Sequence, residues 1–526
     1  MSAVMPRMKS TIVLALAALS SIAAASPETR HTPEASPIVT LPQGTFAGES
    51  HDRVTAFLGL PYAAAPIGSQ RWMPPGPPLV ERGIRQARQF GASCPQELRD
   101  TPMMAWTMEY LPPRAPGMSE DCLSLNVWKP ATSVAPGAKT ALPVLIFLHG
   151  GGFTSGSTSV PIYDGAKLAG RGMIVVTANY RLGTLGFLAH KALTAEQGRS
   201  GNYALQDQIA ALRWVQNNIA AFGGDPAKVT LAGQSAGAWS VMALMASPEA
   251  KGLFRSAIAL STPDLGDYRS QAEGERRGDE LFSKWKVDSL AAARALPAAK
   301  LTGATAYGNI VADGAVIPIG ATSRTVGSDV PVMMGYMLND LFAPSPKVDP
   351  ATWAADVRKR YGVYAAALLR FYPGRTTVEA RHSAAREAGD RLEFGPLPKW
   401  ITERPAHSPV YVYRFSHAEP GPDSTQYGAF HTAELPYMFD TLHKSPGRPF
   451  TAVDRRVVTQ FSGAIENFVK NSDPNGPQLP TWVPLTPEGK VLMEFGDQAA
   501  PSRIYPEGSD AIIRRGKPPE KGAMPG

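Results

Sequence analysis

Two continuous apolar runs, LPVLIFLHG at 142–150 and GMIVVTANYR at 172–181, narrow the architectures open to this chain. A strand with one wet face alternates apolar and polar residues. An unbroken apolar run marks a strand buried on both faces, as in a parallel sheet covered by helices. Downstream, YALQDQIAALRWVQNNIAAFGG (203–224) places Leu205, Ile209, Leu212, Val215 and Ile219 at helical spacing, with Gly223 to stop the helix. The short strand KVTLAG follows it. Strand, helix and strand in that order argue for an α/β fold with a large, mostly parallel central sheet flanked by helices. The runs VPVMMGYML, SPVYVYRFS and KVLMEFGD read as further strands, and IVTLPQGTFAGE with RVTAFLGLPYA as a small N-terminal antiparallel sheet. Nothing in between has the composition of a linker, so one domain is expected over residues 38–505.

At the end of KVTLAG the chain reads VTLAGQSAGAWS (229–240), with Ser235 between Gly233 and Gly237. Gly-x-Ser-x-Gly alone is a weak signal, because turns favour both residue types. Here it joins a buried strand to AGAWSVMALMAS, which reads as a helix. A strand that turns sharply into a helix through serine presents the hydroxyl at the carboxyl edge of a sheet, the nucleophile elbow. HGGGF, His149 to Phe153, ends the first buried strand. No Gly-Lys-Ser/Thr follows it, which weakens a nucleotide reading. Consecutive glycines do suit a loop whose N–H groups must approach a developing oxyanion with no side chain in the way.

The formal net charge is +7 and no Lys/Arg run is long enough to suggest nucleic acid. Residues 1–25 read as a secretory signal peptide: a basic start holding Arg7 and Lys9, the apolar stretch TIVLALAALSSI, and small residues ending at Ala25. No later run approaches the ~20 apolar residues of a membrane span, so the expectation is a secreted or periplasmic protein with no membrane insertion after cleavage. Residues 26–37 read as a disordered leader and 506–526, charged and Pro-rich, as a disordered tail. Cys94 and Cys122 are the two cysteines of the chain, and an oxidising compartment favours pairing them. The bridge would close a loop of about 29 residues, worth roughly 3–4 kcal/mol in the chain-entropy model. Neither a metal site nor a cofactor is expected.

The set FLGLPYAAAPIGSQRW, SEDCLSLNVW, HGGGF, NYRLGTLGF, GNYALQDQIAALRWVQNNIAAFGGDPAKVTLAGQSAG and FHTAELPYMF resembles the type-B carboxylesterases, the family of cholinesterases and bacterial para-nitrobenzyl esterases. The resemblance implies an α/β-hydrolase fold and ester hydrolysis through an acyl-enzyme. It implies that Ser235 is the nucleophile, that Gly151, Gly152 and Ala236 form the oxyanion hole, and that His431 in GAFHTAELPY is the base. In this fold the order is serine, acid, histidine, which leaves His382, His407, His417, His431 and His443. The family acid is Glu in a D-E-G triplet; here Asn339 and Asp340 fall in its place, so Asp340 is the expected acid, with Asp313 and Glu434 as alternatives.

Trp239, four residues after the serine, reads as core. Segment 101–117, TPMMAWTMEYLPPRAPG, carries Met103, Met104, Trp106, Met108 and Tyr110 inside the cysteine loop; the resemblance implies part of a gorge wall, and packing against the body is an equal alternative. Gln234 stands where cholinesterase-like members carry Glu, so neutral or anionic esters are the expected small-molecule substrates. A catalytically dead adhesion protein of the same fold is the competing reading, weakened because serine, histidine and the glycine loop are all present. An amidase or thioesterase would use the same residues.

Overall fold

The structure is a computed structural model that describes residues 36–101, 105–131, 141–262, 268–302, 310–322, 324–340, 348–404, 407–421 and 424–516. The expected signal peptide, leader residues 26–35, Met103, Met104 and tail residues 517–526 lie outside the described residues. From Pro37 onward the described residues belong to one compact unit.

Eleven strands form the central sheet: β1 (Glu49–His51), β2 (Val54–Pro61), β3 (Ser124–Pro130), β4 (Leu142–Leu148), β5 (Ile174–Ala178), β6 (Gly224–Gln234), β7 (Ser256–Leu260), β8 (Val332–Met337), β9 (Val410–Phe415), β10 (Val491–Phe495) and β11 (Ala499–Arg503). Their order across the sheet is β11-β10-β9-β8-β7-β6-β4-β5-β3-β2-β1. From β5 to β10 every neighbouring pair is parallel, and the flanks are antiparallel, so the sheet is mixed with a parallel centre. The parallel centre coincides with the unbroken apolar runs: Val144–Leu148 and all of β5, β7 and β8 are buried.

The small sheet departs from the expectation twice: the strand of RVTAFLGLPYA is not in it but is β2 of the central sheet, where it pairs with β1 and β3, and the small sheet's own strands are not all antiparallel. Ile38–Leu41 pairs antiparallel with Gly44–Ala47, but the third strand, Ile84–Gln86, runs parallel to Gly44–Ala47 because the chain crosses through β1 and β2 before returning. Residues 506–516, grouped by sequence with the tail, include the short helix Asp510–Ile513, with Ile513 buried. Cys94 and Cys122 are disulfide-bonded. Among the described residues no helix is long and apolar enough to cross a membrane.

Helix α1 (Tyr203–Asn218) buries most of its length, and Gly223, at φ +88°, closes the 3-10 turn that follows it. Its Asp207, fully buried, takes Nε and Nη2 of buried Arg181 at 2.8 and 2.7 Å. A buried charge persists only when paired in this way, and the pair ties the loop after β5 to α1. Because β4, β6, β8 and β9 are parallel, their carboxyl ends share one edge of the sheet. The segments holding His149, Ser235, Asp340 and His431 all begin there, which is where α/β sheets bind ligands.

Candidate active site

Ser235 lies between β6 and helix α2 (Ala236–Ala246) with φ +55° and ψ −121°. A non-glycine residue seldom occupies that region, and such strain persists where the surroundings over-determine it. The surroundings are main chain. Ser235 N–H donates to Leu260 O of β7 at 2.9 Å, and its carbonyl accepts from Trp239 N at 2.9 Å in the first turn of α2. Gly237 lets α2 approach β4 closely: a Cβ there would overlap Leu148 O and come within 2.8 Å of His149 O. Ala236 opens the helix, so its N–H is one of the terminal donors without an intrahelical acceptor. All eleven residues of α2 are buried, and its positive dipole end lies at the serine.

The glycine loop passes beside this turn. Gly151 and Gly152 have φ +107° and +62°, and a Cβ on Gly150 would stand 3.1 Å from the Ser235 Cβ. His149 holds the loop from below. Its imidazole stacks on Tyr180 with centroids 4.4 Å apart, its Nδ1–H donates to Gly150 O at 2.8 Å, and its carbonyl accepts from Tyr180 OH at 2.6 Å. Burial pushes the His149 imidazole down to about 4, so it stays neutral. From the other side Gly183 N–H donates to Phe153 O at 2.7 Å. Phe153 also meets Trp239, 6.0 Å between centroids, and Trp239 is 4% exposed, so it is core.

Of the five candidate histidines, the structure brings His431 to the acid: His431 Nδ1 donates to Asp340 Oδ1. A proton on Nδ1 leaves the lone pair on Nε2, and Nε2 lies 3.3 Å from Gln234 Nε2, the residue before Ser235. Asp340 is 3% exposed, and its second oxygen accepts from Met337 N at 3.0 Å. The remaining four have other partners or settings: His417 bonds Asp454 and Asp497, His382 bonds Asn339 and Thr425, and His407 and His443 are exposed. Asp313 accepts from Ala315 N and Ile317 N in its own turn.

Glu434 is fully buried, and among the described residues no other residue donates a hydrogen bond to either of its oxygens. Burial first, and the Asp340 charge second, push both Glu434 and buried Glu393 well above the usual carboxylate range. Both carboxyls stand near Asp340, and it is Asp340 that takes the His431 N–H.

Sequence reasoning named Asn339 and Trp106 but missed how they support this pair, and it missed Arg448 altogether. Asn339 exchanges bonds with Ala429, N–H to O at 3.1 Å and Oδ1 from N–H at 3.0 Å, which joins the acid loop to the histidine loop. Trp106, left open between gorge wall and body packing, packs on the histidine loop: its Nε1–H donates to His431 O and Thr432 Oγ1. Arg448 donates to Ala105 O and Thr107 Oγ1, on either side of Trp106, and pairs with Glu419 and Glu109. The sequence signals for these were the place of Asn339 in the family triplet and the aromatic content of segment 101–117. Among the described residues no group of three or more His, Cys, Asp or Glu could hold a metal ion.

Residues 35–510 match the carboxylesterase family model. The chain is 34% identical over 489 residues to the fumonisin B1 esterase of Sphingopyxis macrogoltabida, covering 86% of this chain and 85% of that protein. It is 32% identical over 469 residues to the para-nitrobenzyl esterase of Bacillus subtilis, covering 83% and 90%. A solved PNB esterase structure superposes with a TM-score of 0.74 at 28% identity, covering 92% of this chain and 99% of that one.

Proposed function

Since the chain belongs to the carboxylesterase family, an ester hydrolase family, we propose that Ser235, His431 and Asp340 carry out its hydrolysis through an acyl-enzyme. The observation that carries this reading is the His431–Asp340 hydrogen bond, which leaves Nε2 as an acceptor beside the strained Ser235 turn. His431 Nε2 takes the Oγ proton as Ser235 attacks the acyl carbon. The N–H groups of Gly151, Gly152 and Ala236 take the charge that develops on the carbonyl oxygen. The imidazolium, steadied by Asp340, returns its proton to the departing alkoxide. Water then enters, gives its proton to His431 and attacks the acyl group, and the acid leaves as Ser235 regains its proton.

The proposed substrates are neutral or anionic esters. Gln234 places an uncharged amide beside the base, and the net positive charge that remains once residues 1–25 with Arg7 and Lys9 are removed, 7 − 2 = +5, biases encounter the same way. The proposed location is outside the cytoplasm, supported by the residue 1–25 pattern and the Cys94–Cys122 disulfide. The test is a panel of aryl, short-alkyl and polycarboxylate esters with wild-type protein and Ser235→Ala. Turnover lost across the panel in the variant supports the reading, and near-wild-type turnover overturns it.

A further inference from the structure

The reading of Ser235, His431 and Asp340 just proposed is the premise here. Thr432, the residue after the histidine, has φ +82°. A β-branched residue rarely enters that region, and it stays there only where something else holds it. What holds it comes from far along the chain. The Trp106 indole N–H is shared between His431 O at 3.0 Å and Thr432 Oγ1 at 2.7 Å, across sequence separations of 325 and 326. The indole also meets the His431 imidazole edge to face, 6.4 Å between centroids. Trp106 is held on both sides in turn: Arg448 Nη2 donates to Ala105 O at 3.1 Å and to Thr107 Oγ1 at 3.2 Å. Arg448 Nη1 pairs with buried Glu419 at 2.9 Å, and Glu419 accepts from Tyr110 OH.

We propose that Trp106 is a positioning residue for the catalytic histidine. Its N–H locks the His431–Thr432 backbone in the strained conformation that keeps Nδ1 on Asp340 and Nε2 toward the Ser235 turn. Arg448 is the anchor that keeps the indole in place. Asp340 holds the imidazole through its ring and Trp106 holds it through its main chain, so the histidine is fixed from two directions. The segment inside the disulfide loop thereby acts on the rate of the chemistry and not only on the shape of the entrance.

The test separates the N–H from the ring. Replacing Trp106 with 3-benzothienylalanine keeps the bicyclic shape and removes the donor; Trp106→Phe removes donor and volume together. The benzothienyl variant is expected to lose about 10- to 100-fold in kcat, the scale of a misplaced catalytic group, with KM within about threefold. Thr432→Gly in that background is expected to restore most of the loss, because glycine adopts positive φ without strain. A benzothienyl variant with kcat within about twofold of wild type, a loss confined to KM, or no recovery with Thr432→Gly would each overturn the proposal. If neither Trp106 variant accumulates as folded protein, Arg448→Lys is measured instead: a several-fold fall in kcat at constant KM supports the proposal, and unchanged kcat overturns it. His431→Ala keeps the two levels apart. Loss of activity in His431→Ala with none in the benzothienyl variant refutes the positioning role alone; an active His431→Ala refutes the catalytic reading beneath it.

Discussion

Ser235 is held by main-chain bonds and close backbone packing, whereas His431 is held by side chains 91 and 325 positions away in the chain. The serine turn is bonded through main chain to β7 and to α2, and glycine makes the close approach possible. The histidine loop is a junction of Asp340, Asn339, Trp106 and, through Trp106, Arg448. A nucleophile held through main chain tolerates most side-chain changes around it; a base held by side chains is open to substitution at many distant sites.

The largest effect that would break this contrast is at the acid. Asp340→Asn is expected to lower kcat by up to about 10⁴-fold, since the imidazole loses the partner that fixes its tautomer and steadies its charge. A mild loss in steady-state kinetics would move the role to another carboxyl, Glu434 first, since it is buried three residues beyond the histidine.

Asn339→Ala removes the side-chain half of the Asn339–Ala429 exchange and leaves the Ala429 N–H buried without its acceptor. Urea unfolding should show a loss of about 1–3 kcal/mol, with kcat reduced and KM nearly constant. A loss of stability with unchanged kcat would show that the two loops need not be joined for the histidine to work.

Gln234→Glu sharpens the contrast from the serine side. Wild-type protein is expected to turn over a choline ester less efficiently than its neutral 3,3-dimethylbutyl analogue. The variant should narrow that gap by about tenfold, since a unit charge near a bound cation is worth roughly 1–3 kcal/mol. A wild-type preference for the choline ester would point to an anionic group elsewhere in the site.

The smallest effect concerns Glu419, at the far end of the histidine's support. Burial pushes its carboxyl from 4.5 up to about 7, against the opposing pull of Arg448 and the Tyr110 hydroxyl; Glu109 adds to the rise and His417 opposes it. Glu434 and Tyr437 also feel its charge. A carboxyl that ionises later in the folded chain than in the unfolded one weakens the fold as pH rises. Its contribution is complete below about 4.5 and is lost once pH passes about 7. Glu419→Gln has no proton to lose, so its unfolding free energy relative to wild type should rise between about pH 5 and about pH 8. A constant difference across that range would show that Glu419 is already ionised as its pair with Arg448.

This division also explains what could be read from sequence. β4, β5 and β6, α1, α2 and the Ser235 turn were legible because each rests on apolar runs, helical spacing or glycine placement within a few residues. His431 and Asp340 were reached through family resemblance and chain order. Arg448 and the hydrogen bonds of Asn339 and Trp106 left no local pattern, because their partners are brought near only by the folded sheet edge. The parallel third strand of the small sheet was missed for the same reason: its direction is set by the crossover before it and not by its own residues.

The most direct test of the central claim is to treat the protein with a p-nitrophenyl phosphonate and locate the adduct by peptide mass spectrometry. A serine activated by a neighbouring base displaces p-nitrophenolate and keeps the phosphonyl group. The expected result is one phosphonyl group per chain, on the peptide containing Ser235, with hydrolysis lost in proportion and no labelling of His431→Ala on the same timescale. A stoichiometric adduct on another residue, or full ester hydrolysis by protein labelled at Ser235, would contradict the account.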